Sequence, residues 1–285
     1  MIKVDFIDQL DRFNLVLKKN STEINEGQQK SNFSGQGMIF EDHKKYVPGD
    51  DIRKMDWKAY ARTEEFYIKR FEQEKNITVH ILVDRSSSMD YGDNNKYDYA
   101  AKLGLATAYM ASNTNDRFRY SVFSETITDI SAARRNPNLA QMVETLNNLR
   151  KTPESLIGRC VTEYSKRIEN KSVIIIFSDF LTDLDEIEEA IKRLKDTDTI
   201  LVNTLDAKEL EPDLQGDKIL LDPESDSKLR TYLSKKTRES YQQNLEEHTQ
   251  NISELAHQYD AKYLKLSTEE DVFESFLEIW KALNS

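Results

Sequence analysis

The sequence predicts an α/β protein: a doubly wound, mostly parallel sheet, with a small helical and β-rich extension on its N-terminal side. Three observations carry this expectation. The segments "NITVHILVD" and "SVIIIFSDF" are nearly continuous apolar, β-branched runs of strand length. Runs without polar alternation suit strands buried on both faces, as in parallel sheets. They alternate with segments of helical periodicity, the signature of crossover units. The 285 residues are enough for one large domain of this kind or two modest ones.

Apolar residues at Phe6, Leu10, Phe13 and Leu17 recur at helical spacing and predict an amphipathic helix over 5–19. Residues 20–37 are polar and contain Gly, hence a loop. "GMIFEDHKKYVPGDD" reads as a short strand and a turn at Pro48-Gly49-Asp50, and "EEFYIKRFEQE" as a second strand; the two are expected to pair in a small sheet. This N-terminal region is assigned to 1–75 and the main domain to 76–285.

In the main domain "NITVHILVD" is a strand ending at Asp84, and "KYDYAAKLGLATAYMASNT" a helix rich in Ala and Leu. "DRFRYSVFSE" and "TITDISA" read as strands joined by a tight turn, and "NLAQMVETLNNLR" and "SLIGRCVTEYSKRIE" as helices. "SVIIIFSDF" is a buried strand ending at Asp179. "DLDEIEEAIKRLKD" is a helix with acids early and bases late, as the helix dipole favours. "DTILVNTLD" is a further strand, and "DKILLD" opens the tail. A long polar helical stretch is expected from about 228 to 259, then a strand in "AKYLKLS" and a helix in "EEDVFESFLEIWKAL".

Lys and Arg total 40 against 51 Asp and Glu, a net charge of -11. That balance argues against nonspecific attraction to nucleic acid or anionic lipid. Cys160 is the single cysteine, so an intrachain disulfide and a cysteine-based zinc site are excluded. A lone thiol, an acid-bearing start and the lack of any apolar run near about 18 residues lead to the expectation of a cytoplasmic protein.

The chemistry concentrates in "LVDRSSSMDYG". In an open parallel sheet, ligands bind at the carboxyl ends of the strands. Asp84 and Asp179 each close an apolar strand there. Asp84, Ser86 and Ser88 alternate, so that three oxygens can point one way while Arg85 and Ser87 point the other. One carboxylate, two hydroxyls and room for waters suit a hard cation such as magnesium. The plainer reading is that these serines cap the following helix.

"DRSSSM" after an apolar strand resembles the metal-ion-dependent adhesion site of von Willebrand factor A-like domains, whose fold is of this Rossmann type. "YVPGDDIRKMDWKAYARTEEFYIKRFEQE", through Tyr46, Pro48, Gly49, Asp50, Asp51, Arg53, Asp56, Trp57, Ala61 and Arg62, resembles the segment that precedes such a domain in the bacterial family called domain of unknown function 58, DUF58. "SDF" at 178–180 and "LLDPES" at 220–225 look like further family features. The resemblance implies Asp84, Ser86 and Ser88 as the first metal loop and Asp179 as the third, often bound through water. The second loop normally supplies a threonine; here "KTPESLIG" departs from that pattern, with Ser155 the better positional match and Thr152 the rival. It also implies Mg2+ (or Mn2+ or Ca2+) as cofactor and a MoxR-type AAA+ ATPase as partner. The implied function is a non-catalytic, cation-dependent protein-binding module.

"GDDIRKMDWKAYAR" has two readings. Its acids and Arg53, Arg62 and Arg70 could form ion pairs clamping the small sheet, or Arg53, Asp56, Trp57, Tyr60 and Arg62 could form a partner surface. Enzymatic alternatives lack their parts: the nucleophile elbow and the phosphate-binding glycine loops are absent. His80 lies mid-strand as a packed residue, and His43, His248 and His257 are expected to be solvated. A phosphohydrolase using Asp84 and a metal-free scaffold remain as alternatives. Asp84→Ala is expected to leave core packing untouched.

Overall fold

The structure is a computed structural model that describes residues 2–3, 5–26, 38–47, 50, 55–63, 65–73, 77–92, 94–114, 116–134, 138–149, 152, 155–168, 172–212, 216–221 and 228–284. The chain forms two compact units, one of Met1–Asn14 with Ile77–Ser285 and one of Leu15–Asn76. The first fourteen residues thus group with the large unit and not with the small one.

Helix α1 (Ile7–Glu26) extends past the expected 5–19. Ile2, Phe6 and Leu10 are buried, and Phe13 meets Phe273, Phe276 and Trp280 edge-on at 6.0–6.2 Å. The apolar stripe that predicted the helix is therefore the face that packs, and the main domain claims its first half.

In the small unit, β1 (Met38–Lys45) pairs antiparallel with β2 (Tyr67–Gln73), as expected. Between them lies a short helix, α2 (Trp57–Thr63), that periodicity did not reveal. Its start is fixed by Asp56, whose Oδ1 accepts from the Lys58 and Ala59 amides at 2.9 and 3.1 Å.

The large unit is built on β3 (Thr78–Asp84), α3 (Lys96–Asn113), β4 (Arg117–Phe123), β5 (Ile127–Arg134), α4 (Leu139–Asn148), α5 (Ile157–Tyr164), β6 (Ser172–Ser178), α6 (Leu184–Arg193), β7 (Asp198–Leu205) and α7 (Ala207–Leu210). It continues through β8 (Gly216–Leu221), β9 (Lys228–Leu233), α8 (Lys235–Gln258), β10 (Lys262–Ser267) and α9 (Val272–Asn284). The six-stranded sheet has the order β10-β7-β6-β3-β4-β5, parallel except for the antiparallel edge strand β5. The α/β, mostly parallel class is the one expected.

One correction concerns the tail. Residues 228–233 are not helical but form β9, an antiparallel partner of β8, and the helix starts only at Lys235. "KLRTYL" is of mixed polarity over a span too short to separate the strand and helix periods, and the hairpin partner decided it. The Ser234 side chain, accepting from the Thr237 amide, then caps α8.

The continuous apolar strands need cover on both faces and have it. Leu82, Ile174, Ile176 and Leu201 share a buried cluster with α5, α6 and α8 residues including Val161, Ile187 and Ile252. On α3, Gly104 is the contact point with β3 and β4. A Cβ there would lie 2.8 Å from the Tyr120 ring and 3.0 Å from Ile81 Cγ2. The chain leaves β3 outward through β4 and β5 and returns to β6 on the other side. The strand order thus reverses between β3 and β6, and in open sheets of this kind the carboxyl ends at such a reversal are where ligands bind.

Candidate functional site

Asp84 closes β3 at that reversal and is fully buried. Its Oδ1 accepts from the Ser86 amide at 2.8 Å. Its Oδ2 accepts from the Ser155 and Ser178 hydroxyls, each at 2.8 Å. Burial first, and then the nearby Asp179 carboxylate, push Asp84 up to about 6 against the pull of these three donors. The side chain is thus wholly embedded, and Asp84→Ala would strand three donors. That corrects the expectation that it touches no packing.

The serine loop is pinned in place. Ser86 Oγ and Ser88 Oγ lie 3.0 Å apart, and Ser87 Oγ turns the other way to donate to the Thr152 carbonyl at 3.2 Å. An isolated parallel bridge joins Ser86 to Thr152. The alternation read from the sequence therefore separates Ser86 and Ser88 from Ser87. Ser87–Met89 form one 3-10 turn in which Ser86 makes no side-chain cap. The helix that follows is capped by Asn95, which accepts from the Asp98 amide. The plain capping role for these serines is thus not the one they take.

Of the second-loop candidates, Ser155 reaches the site through its bond to Asp84, whereas Thr152 lies beside the serine loop through its backbone, with a buried hydroxyl that has no hydrogen-bond partner among the described residues. No three His, Cys, Asp or Glu side chains gather as a metal-holding group among the described residues. A cation here would be held mainly by hydroxyls, with Asp84, Ser86, Ser88 and either Ser155 or Thr152 able to supply hard oxygens.

Asp179 follows β6, and its Oδ2 binds the Lys96 ammonium at 2.8 Å. Lys96 also binds Glu209 Oε1 at 2.6 Å, and its own side chain is fully buried. A lysine in the first turn opposes the helix dipole, so its two acids are what hold it there. Burial alone would drain its charge, but Asp179 and Glu209 outweigh burial and keep its pKa above the ordinary value. Glu209 is itself oriented by a capping box, with its Oε2 accepting from the Asp206 amide at 2.9 Å. Gly92, with φ +89, brings the serine loop's far end so close to Asp206 that a Cβ would collide with its carboxylate.

Lys96, Ser178 and Glu209 were missed as site residues. The only sequence signal for Lys96 is a charge opening a helix that is otherwise Ala- and Leu-rich. Glu209 is brought in from 113 positions away. His248 also departs from expectation: its Nε2 pairs with the Phe180 carbonyl at 2.8 Å. Phe180 has φ 50, a strained value for a bulky residue, immediately after Asp179. Beside the site Tyr91, Leu181 and Tyr241 are each more than two-fifths exposed. A cleft of about 520 Å³ is lined by Leu181, Tyr241 and His248 among others.

In the small unit Trp57 and Tyr60 are 61% and 37% exposed, with Tyr60 stacked on Phe66 at 4.5 Å. Arg62 is exposed, whereas Asp56 is the buried cap of α2. Arg53 lies outside the described residues, as do Asp51 and the Pro48-Gly49 part of the predicted turn. Asp50 pairs with Lys44 at 3.1 Å.

No described helix is long and apolar enough to cross a membrane. An uncharacterized protein of Mycobacterium tuberculosis is 22% identical over 264 residues, covering 90% of this chain and 83% of its own. Among solved structures, BatB from Bacteroides thetaiotaomicron aligns with a TM-score of 0.47 and 15% identity, over 73% of this chain and 100% of its own. The SpRpn10 VWA domain aligns with a TM-score of 0.45 and 12% identity, over 71% and 94%. The family model described as "Protein of unknown function DUF58" matches residues 42–251, well over half of the sequence, and the chain belongs to that family.

Proposed function

We propose that this protein is a non-catalytic, cation-dependent protein-binding module of von Willebrand factor A type. Magnesium is the expected ion, and a MoxR-type AAA+ ATPase, the partner implied by the family resemblance, is the expected partner. The observation that carries the reading is one buried carboxylate, Asp84, at the strand-order reversal, bonded by the Ser155 and Ser178 hydroxyls and the Ser86 amide, with the paired Ser86 and Ser88 hydroxyls in the same loop. The Thr152 hydroxyl, buried and without a partner among the described residues, fits the same use, since such a hydroxyl is costly unless something satisfies it. With few acids in contact, a bound divalent ion keeps net positive character and can take a partner's carboxylate as a further ligand. Asp84, Ser86, Ser88 and Ser155 would hold it, with Asp179 contributing through water. The exposed Tyr91, Leu181 and Tyr241 beside the site supply apolar contact area of the kind that anchors interfaces. Trp57, Tyr60, Arg62 and, from its place in the same motif, Arg53 form a candidate second contact.

The reading is tested by the thermal shift that Mg2+ produces in wild type, Asp84→Asn and Ser155→Ala, followed by capture of a purified MoxR-type ATPase with Mg2+ or EDTA. A shift and a capture that both need Mg2+ and Asp84 support it. Equal capture in all lanes overturns the cation-dependent part and moves attention to Trp57 and Tyr60. Turnover of a phosphate ester that is lost in Asp84→Asn overturns the non-catalytic part.

A further inference from the structure

We propose that Lys96 is a built-in counter-cation that competes with the divalent ion for Asp179, so that this chain binds its metal more weakly than its oxygen set would allow. The inference rests on the cation-site reading given above and goes beyond it, to what sets the affinity.

The lysine is fully buried and is held by two acids, Asp179 at 2.8 Å and Glu209 at 2.6 Å. Asp179 has no idle oxygen: Oδ2 takes the ammonium, and Oδ1 accepts the Leu181 amide at 3.3 Å. Glu209 is tied at both ends as well, to Lys96 and to the Asp206 amide. The carboxylate that should complete the cation site is thus already neutralised from within the chain. Without Lys96, Asp179 would face Asp84 on one side and Glu209 on the other with no counter-charge between them, a costly arrangement in the absence of metal. The lysine therefore allows the metal-free protein to stay folded, and the ion must displace or share it. Withdrawing one unit charge from beside a divalent ion changes its affinity by about tenfold even with the attenuation of bulk water, and by more in a buried site.

The test is calorimetric titration of the full chain with Mg2+ alone, in wild type, Lys96→Met, the double variant Lys96→Met/Glu209→Gln, and Asp84→Asn. Lys96→Met is expected to bind at least about tenfold more tightly. Metal-free, it should melt below wild type, and saturating Mg2+ should recover the difference, because an ion that binds only the folded state stabilises it by mass action. The double variant restores the net charge of the wild-type cluster but leaves Asp179 free. It should stay tighter than wild type, and it keeps the test open if the single variant fails to fold. Equal or weaker binding in the Lys96 variants, with wild-type binding that Asp84→Asn abolishes, leaves the cation site standing and refutes the competition. No Asp84-dependent binding in any variant overturns the cation site, and this proposal with it.

Discussion

His80 should act as an acid-sensitive weak point in the middle of β3. Its Nδ1 lies 2.9 Å from the Tyr164 hydroxyl, and Nε2 is buried with no hydrogen-bond partner among the described residues. Burial, and secondarily the charge of Arg119, lower its pKa from 6.5 to about 4. The sign follows from linkage. The unfolded chain takes up the proton below its ordinary pKa while the folded chain resists it, so stability is full above that value and is lost as pH falls. The whole drop is worth roughly 3 kcal/mol, and about 2.5 kcal/mol of it should appear between about pH 7.5 and 4.5. The assay is urea unfolding across that range for wild type and His80→Asn, taking the difference at each pH. The fixed cost of the substitution then appears at every pH, and independent carboxylates cancel. A difference that changes by about 2.5 kcal/mol, with wild type losing ground as pH falls, supports the reasoning. A flat difference, or one of opposite slope, would refute it.

Three further substitutions probe the elements that place the site. Gly92→Ala should destabilise by about 1–3 kcal/mol, because it strains a left-handed residue and drives Asp206 off the Lys208 amide and the Thr268 hydroxyl; a thermal melt reads it. Gly104→Ala gains up to about 1 kcal/mol of helix propensity but forces a methyl against buried Tyr120, so a net loss of about 1–2 kcal/mol in urea is expected, and a gain would show that α3 can move away from the sheet. Asp84→Ala should be less stable than Asp84→Asn by about 1–3 kcal/mol without metal, since only Asn keeps an acceptor for the Ser86 amide while its NH2 can donate to the two hydroxyls; equal unfolding midpoints and slopes would contradict that accounting.

Much of this protein was legible in the sequence because its signals are local. Runs such as Val173–Phe177 are short, β-branched and without polar alternation, so they fit strands covered on both faces, and the helices between them supply that cover. The spacing of Asp84, Ser86 and Ser88 within one loop already separates their oxygens from Ser87, and the structure keeps that separation. Ser155, which the family resemblance offered for the second loop, donates to Asp84 Oδ2. Other features depend on partners distant in sequence. Residues 228–233 are a strand because β8 lies beside them, and six residues of mixed polarity carry too short a period to say so. Met1–Asn14 joins the large unit because Phe13 finds the rings of α9. Lys96 is a site residue because the fold sets Asp179 and Glu209 on either side of it, 83 and 113 positions away. A sequence shows which residue carries a charge; whether that charge meets water or two buried acids is set by packing, and only the tertiary structure decided it.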